Sequence, residues 1–429
     1  MHGFSYKNGS LYCEDVELAA LAAQYGTPLY VYSAATILGH FHRLDAALAG
    51  LPHEVAYAVK ANSNLAVLRL LVRAGAGFDI VSGGELFRVI KAGGDPGHCT
   101  FAGVGKTRNE IEYALQQGIY SFNVESEEEL AYLNQVAGGM GMIAPVAVRV
   151  NPNVDAHTHK YISTGKSENK FGVDSEAIPG LYDHAAKELP NIRLRGLQMH
   201  IGSQLTSIAP FIEAVEKIAP LARQLKQQHG IEFWSIGGGI GIVYQGALES
   251  GSADWWQQQA AEDGPLTIDR YGKELVPRLR DLDLKILVEP GRLIVGNAGV
   301  LLTRCLYQKK GAARIFKIVD AGMNDLIRPA LYQGHHEIVA LRQAASETTV
   351  TADVVGPICE SGDFFCQNRE LPDFQPGECV ALMSAGAYGS AMASNYNSRP
   401  LPAEILVDGA VVTVARQRQS LDDLIAGEI

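Results

Sequence analysis

Val55-Ala56-Tyr57-Ala58-Val59-Lys60-Ala61-Asn62-Ser63 is a short apolar run closed by a lysine and then by polar residues. Its length and its valine and tyrosine content suit a buried strand. The same layout recurs along the chain. Runs at Gly77–Val81, Ser121–Val124, Val146–Val150, Leu194–Met199, Phe233–Ile236 and Ile286–Glu289 read as further strands. Between them lie helically spaced segments such as Ala66–Arg73, Gly84–Ala92, Asn109–Gln117 and Ile208–Gln228. Strand–helix alternation implies a parallel sheet. About eight units over about 250 residues fit a (β/α)8 TIM-like barrel better than an open sheet. The pattern predicts that barrel over residues 33–296.

Polar or glycine-rich residues directly follow these strands: Lys60, Ser82-Gly83-Gly84, Asn151-Pro152-Asn153, His200, Gly237-Gly238-Gly239 and Glu289-Pro290. In a barrel they gather on one rim, the face where active sites form. Beyond residue 297 the texture changes. Gly299–Lys309, Ala313–Asp320, Thr348–Val355, Glu378–Met383 and Ala410–Ala415 are short β-rich runs separated by turn residues. They predict a C-terminal all-β domain over 297–429. Residues 1–32, through Leu11-Tyr12-Cys13 and Leu29-Tyr30-Val31-Tyr32, are expected to return to it.

The 429 residues are 47% hydrophobic and 19% charged, as in an ordinary globular protein. No apolar run is long enough to span a membrane, and the N-terminus lacks the layout of a signal peptide, so a cytoplasmic protein is expected. A net charge of −11 argues against nucleic-acid and anionic-membrane partners. The six cysteines show no CxxC pair and no metal-ligand spacing, and the histidines His157, His159, His335 and His336 have no suitably spaced carboxylate. No metal is expected.

Several motifs carry chemistry. A strand-end lysine such as Lys60, if desolvated, loses basicity and can form a Schiff base with an aldehyde. The plain alternative is a snorkelling surface lysine. Ser235-Ile236-Gly237-Gly238-Gly239-Ile240-Gly241 lets backbone N–H groups converge on an anion, or simply makes a sharp turn. Its spacing is not that of a dinucleotide-binding fingerprint. Glu289, in Glu289-Pro290-Gly291-Arg292, could hold a pyridine nitrogen protonated, or could pair structurally with Arg292. A charged pyridinium is a strong electron sink, which favours decarboxylation over racemisation. His200 could stack on a cofactor ring, and the Ser203 hydroxyl could donate to a phosphate. Cys359, beside Glu360 and Asp363, is suited to stay protonated and act as an acid, or is a buried structural thiol. Arg328 and Tyr332 share a face if their stretch is helical, which suits carboxylate capture.

In this order the set resembles the alanine-racemase-like class of pyridoxal-phosphate enzymes, and within it the diaminopimelate decarboxylase family. The resemblance covers nearly the whole chain. It rests on Tyr57–Asn64 (YAVKANSN), His200–Gln204 (HIGSQ), Gly237–Gly241 (GGGIG), Glu289–Arg292 (EPGR), Cys359–Asp363 (CESGD) and Gly386–Pro400 (GAYGSAMASNYNSRP). It implies a barrel plus β domain acting as a head-to-tail homodimer with shared active sites. It also implies decarboxylation of meso-diaminopimelate at its D-centre to L-lysine. Lys60 would bond the aldehyde of pyridoxal phosphate, His200 would stack on its ring and Glu289 would pair with its nitrogen. Ser203, Gly238, Gly239, the Gly291-Arg292 backbone and Tyr388 would surround the phosphate. Asp79 and Arg149 match positions near the cofactor. Arg292, Arg328 and Tyr332 would grip the distal carboxylate, with Tyr388 close by. Glu360 and Cys359 would come from the partner subunit, the first to read the distal ammonium and the second to reprotonate the carbanion.

Decarboxylases of D-ornithine or D-lysine remain alternatives, although those substrates lack a distal carboxylate. A racemase would want a tyrosine at Cys359 and an arginine at Glu289, and a non-catalytic cofactor-binding protein would lack the β domain. The segment His157–Lys170 would suit a mobile lid.

Overall fold

The computed structural model describes residues 1–155, 171–259, 264–343 and 348–429. The expected lid segment lies outside the described residues. Contacts divide the chain into two units, one comprising His40–Gly241 and Asp263–Leu293, the other Met1–Gly39, Ile242–Glu262 and Ile294–Ile429.

The first unit is a closed parallel barrel. Its strands are β1 (His53–Ala58), β2 (Gly77–Ile80), β3 (Cys99–Phe101), β4 (Ser121–Val124), β5 (Ala144–Asn151), β6 (Ile192–Gln198), β7 (Phe233–Ser235) and β8 (Lys285–Val288). Each pairs in parallel with the next, and β8 returns to β1 with Val288 opposite Val55. The three-residue β3 is a strand that hydrophobic patterning does not single out, because Cys99-Thr100-Phe101 is interrupted by a polar residue. Polar residues end the strand-to-helix loops and cap the helices they lead into. Asn64 accepts from the Ala66 N–H, Ser82 from Glu85, Ser126 from Glu129 and Thr267 from Arg270. Each cap contributes about 1 kcal/mol.

Register fixes what fills the interior. Opposed residues on adjacent parallel strands face the same side, so Arg149, Gln198 and Ser235 share one layer. The middle layer is apolar, with Ala147, Phe233 and Leu287 packed together. Gly196 sits beside Phe233, and a Cβ there would lie 2.5 Å from the ring. The floor, at the amino ends of the strands, is ionic. Glu54 pairs with Lys285 and His98, and the Tyr120 ring lies 4.2 Å from the Arg195 guanidinium carbon. Stability thus resides at the floor and middle, and the upper layer is left polar.

The second unit is built on β-sheet. The long strand Gly299–Lys310 pairs antiparallel with Leu29–Ser33, Ile315–Val319 and Cys379–Leu382. Leu29–Ser33 is buried throughout and pairs in parallel with Ala403–Asp408, so the N-terminal segment does return to this domain. Leu11, Cys13, Leu29, Val31, Val300, Leu302 and Ile405 belong to its core. Leu11 lies in a separate three-stranded sheet, yet its N–H donates to the Leu341 carbonyl. Phe364–Pro372 and Ala403–Asp408 are strands beyond those read from sequence.

The Gly196–Phe233 contact yields a test. Gly196→Val would overpack the barrel centre and cost about 1–3 kcal/mol. Thermal unfolding followed by circular dichroism should show a midpoint lower by several degrees, partly restored by adding Phe233→Leu. An unchanged midpoint would contradict the packing described.

Candidate active site at the carboxyl ends of the barrel strands

Lys60 does not close strand β1. The strand ends at Ala58, and Lys60 is the middle residue of a single 3-10 turn, Val59–Ala61. Nor is it desolvated: 39% of its side chain is exposed, and Nζ lies 2.5 Å from Oδ2 of Asp79. The carboxylate is 1% exposed and sits at the end of β2. The Asp79 carboxylate thus lies directly on the Lys60 amine. Asp79 Oδ1 is buried without a hydrogen-bond partner among the described residues. Glu85, in the first turn of Gly83–Lys91, joins this group. Burial pushes its carboxyl to about 7, and the Val81 N–H and the Lys60 charge work against that shift.

Glu289 directly follows β8 and is 6% exposed. Ser235 Oγ donates to Oε1 at 2.6 Å and Gln198 Nε2 to Oε2 at 2.9 Å. Glu289 forms no salt bridge among the described residues, so the structural Glu289–Arg292 pair is ruled out there. Burial, then the Asp79 charge, push its carboxyl up to about 7, while Ser235, Lys60 and Gln198 pull it down. A buried carboxylate held by neutral donors gains from a cationic ring nitrogen. Gln198 Oε1 and both amide atoms of Asn123 are likewise buried without partners among the described residues, leaving polar capacity inside the barrel.

His200 follows β6. Its Nδ1 accepts from the Gly238 N–H at 3.2 Å. Burial, then the charges of Arg149 and Lys60, hold its pKa well below the ordinary range, so the ring is neutral. Arg149 is fixed by Glu125, with Nη1 at 3.2 and 3.1 Å from the two carboxylate oxygens, and its guanidinium lies over the Phe171 ring at 4.7 Å. Of the two readings given from sequence for the glycine run, the structure shows the turn. It is a sharp turn in which a Cβ on Gly238 would lie 2.0 Å from the Glu289 carbonyl and one on Gly239 2.3 Å from that of Gly202. The same crowding brings bare backbone beside His200 and Glu289. Gly291 is squeezed in the same way, its Cβ position 2.9 Å from that of Ala61. Arg292 Nη2 donates to Ser203 Oγ at 3.1 Å.

The rim therefore brings together Lys60, Asp79, Arg149, His200, Ser203, Gly238, Gly239, Glu289, Gly291 and Arg292, all in one unit. Sequence reading missed Glu85, Glu125, Gln198 and Ser235. The alternation of the strands could have shown Gln198 and Ser235 pointing inward, since each lies two residues beyond an interior position.

The remaining residues belong to the β unit. Arg328 and Tyr332 open and close the one-turn helix Arg328–Tyr332, with Arg328 6% exposed. Tyr388 has φ +56° in the loop after Cys379–Leu382. Cys359 is the exposed member of the six cysteines, which excludes a buried structural thiol within this chain. Its N–H donates to Asn397 Oδ1 at 2.8 Å. Asp363 is occupied by the Ile358 and Met323 N–H groups, and Glu360 Oε1 accepts from Gly362 at 3.2 Å.

Comparison with known proteins bears on this rim. Residues 34–296 match the model of the pyridoxal-dependent decarboxylase family, pyridoxal binding domain. The chain belongs to the pyridoxal-dependent decarboxylases. It is 48% identical to the diaminopimelate decarboxylase of Vibrio cholerae, over 100% of this chain and 99% of that one. Diaminopimelate decarboxylase from Helicobacter pylori, solved with L-lysine, is 40% identical with a TM-score of 0.87, covering 96% of this chain and 98% of that one. The enzyme from M. jannaschii, also solved with L-lysine, is 35% identical with a TM-score of 0.90, covering 100% and 99%. The rim fits the family's cofactor. It offers an accessible lysine for the aldehyde, a buried carboxylate held only by neutral donors for the ring nitrogen and a side-chain-free backbone turn.

The raised Glu289 value sets a pH dependence. A folded-state pKa of about 7 against an ordinary 4.5 contributes stability at low pH that is lost as pH rises through about 7. In cofactor-free protein, Glu289→Gln should therefore melt above the parent at about pH 8 and with it near about pH 4. Equal melting at both would show that Glu289 carries no such penalty.

Proposed function

We propose that this protein decarboxylates meso-2,6-diaminopimelate at its D-centre, giving L-lysine and CO2, with pyridoxal phosphate as cofactor. The observation that carries the reading is Glu289, a buried carboxylate with two neutral donors and no salt bridge among the described residues. It stands on a barrel whose family is that of pyridoxal-dependent decarboxylases. The similarity to diaminopimelate decarboxylases runs the full length of the chain. Residues 33–296 are assigned as the cofactor-binding barrel, and residues 1–32 and 297–429 as the β domain. The active form is assigned as a cytoplasmic homodimer. No helix of the described residues is long and apolar enough to cross a membrane.

Bound at the rim, pyridoxal phosphate supplies a sink for the electron pair left when the Cα–carboxylate bond breaks. The chain's own residues do the rest. Asp79 Oδ2 holds Lys60 Nζ at the rim, where it would bond the aldehyde of the bound cofactor. His200, held neutral, offers a flat uncharged face to the ring. Glu289 keeps a proton at the ring nitrogen, assisted by Ser235 and Gln198. Ser203, Gly238, Gly239, the Gly291-Arg292 backbone and Tyr388 receive the phosphate, and Glu125 holds Arg149 in place near the cofactor. Arg292, Arg328 and Tyr332 receive the carboxylate that does not leave. The partner subunit's Cys359 donates its Sγ proton to Cα, and the partner subunit's Glu360 receives the distal ammonium. A diamino monocarboxylate such as D-lysine or D-ornithine would bring no second carboxylate to Arg292 and Arg328, which disfavours that alternative.

CO2 release should be measured on meso-diaminopimelate beside D-lysine, D-ornithine and L-lysine. Release from meso-diaminopimelate alone, with L-lysine formed, is expected. Release only from D-lysine or D-ornithine would overturn the substrate, and no release despite bound cofactor would overturn the reaction. Lys60→Ala should lose both the visible absorbance of the bound cofactor and turnover. Cys359→Ala should keep that absorbance and lose about 10²-fold in kcat. Loss of cofactor from Cys359→Ala would instead assign the thiol a structural role.

A further inference from the structure

By sequence His336 is set aside as a metal ligand, and the structure gives it other work. It is fully buried, and its two ring nitrogens face opposite demands. Nδ1 lies 2.8 Å from the Met383 carbonyl oxygen, which can only accept. Nε2 lies 2.7 Å from Nη1 of Arg328, which can only donate. One state satisfies both neighbours, the neutral ring with its proton on Nδ1. Arg328 thus delivers an N–H to an imidazole lone pair.

The local chain is folded to make this meeting. Gln333, at φ +52°, stops the helix after Tyr332, and the Gly334 N–H donates to the Arg328 carbonyl at 3.2 Å. This reversal returns residue 336 beneath the guanidinium. The Tyr244 ring lies against the same group, 4.4 Å from its carbon, and meets His336 edge-on at 5.4 Å. Arg328 therefore has one face against an aromatic ring and one terminal nitrogen on His336. These two contacts restrict how the guanidinium can turn.

A carboxylate is bound most selectively by a guanidinium whose plane is set beforehand, because two parallel N–H···O bonds require coplanarity. We propose that His336 is a positioning residue for substrate selection: its Nε2 fixes Arg328 to receive the carboxylate that survives the reaction. The proposal rests on the reading that Arg328 binds that carboxylate.

The two amides that mimic each ring nitrogen separate positioning from mere support. In His336→Asn the amide reaches the Nδ1 position and can still donate to Met383, but nothing reaches Arg328. In His336→Gln the amide oxygen reaches the Nε2 position and can still accept from Arg328. Each variant of the cofactor-loaded enzyme is assayed for kcat and KM on meso-diaminopimelate and for inhibition by L-lysine, which retains the surviving carboxylate. His336→Asn should raise KM and the L-lysine inhibition constant about 10-fold with kcat within about 3-fold, and His336→Gln should stay within about 3-fold of the parent in all. Equal losses in both variants, or a larger loss in Gln, would assign His336 to support alone and overturn the proposal. Should His336→Asn fail to fold, His336→Gln decides: near-parent constants support positioning and a tenfold rise in KM refutes it. Arg328→Met serves as the control. If it leaves KM unchanged, the carboxylate reading of Arg328 fails. If it raises KM while His336→Asn does not, only the role of His336 fails.

Discussion

Two acidic side chains at one barrel mouth, Asp79 and Glu289, set the terms for everything around them. Both are nearly excluded from solvent, and the charge of Asp79 raises the pKa of Glu289. Buried like charges are tolerated only when positive charge is near. Here Lys60 supplies it, with its ammonium directly on Asp79. Were Lys60 to bond the cofactor's aldehyde as proposed, a cationic ring nitrogen held by Glu289 would balance the second carboxylate. The charge arrangement of the free protein is therefore already shaped for a pyridinium.

Backbone crowding holds that arrangement in place. The loops after β6, β7 and β8 approach so closely that Gly237, Gly238, Gly239 and Gly291 have no room for a side chain. Their approach sets the Gly238–His200 hydrogen bond and fixes where the chain leaves β8 at Glu289. Beneath them, the apolar middle layer and the Glu54–Lys285 floor carry the packing. The upper layer can stay polar and only partly satisfied because stability is secured lower in the barrel.

Much of this was legible in the sequence, and the limits have physical causes. Barrel strands rich in Val, Ile and Phe declare themselves as apolar runs, and the residue after each run lands on the functional rim. Lys60, His200, Glu289 and the glycines were visible for that reason. The β3 strand was not, because a threonine interrupts its short apolar run. Ser235, Gln198, Glu125 and His336 were not, because each acts through another residue: Glu289 for the first two, Arg149 for the third and Arg328 for the last. Such roles depend on cross-strand register and loop return, which single-chain patterning does not encode. That Lys60 is paired rather than desolvated depends on Asp79, nineteen positions away, a contact that sequence spacing does not reveal.

The central claim is that Glu289 keeps the cofactor's ring nitrogen positively charged. It is tested most directly by magnetic resonance of the protein reconstituted with pyridoxal phosphate isotopically labelled at that nitrogen. The account expects the resonance of a protonated pyridinium in the resting protein at neutral pH. A neutral pyridine resonance there would contradict it, and would remove the electron sink on which the proposed decarboxylation depends.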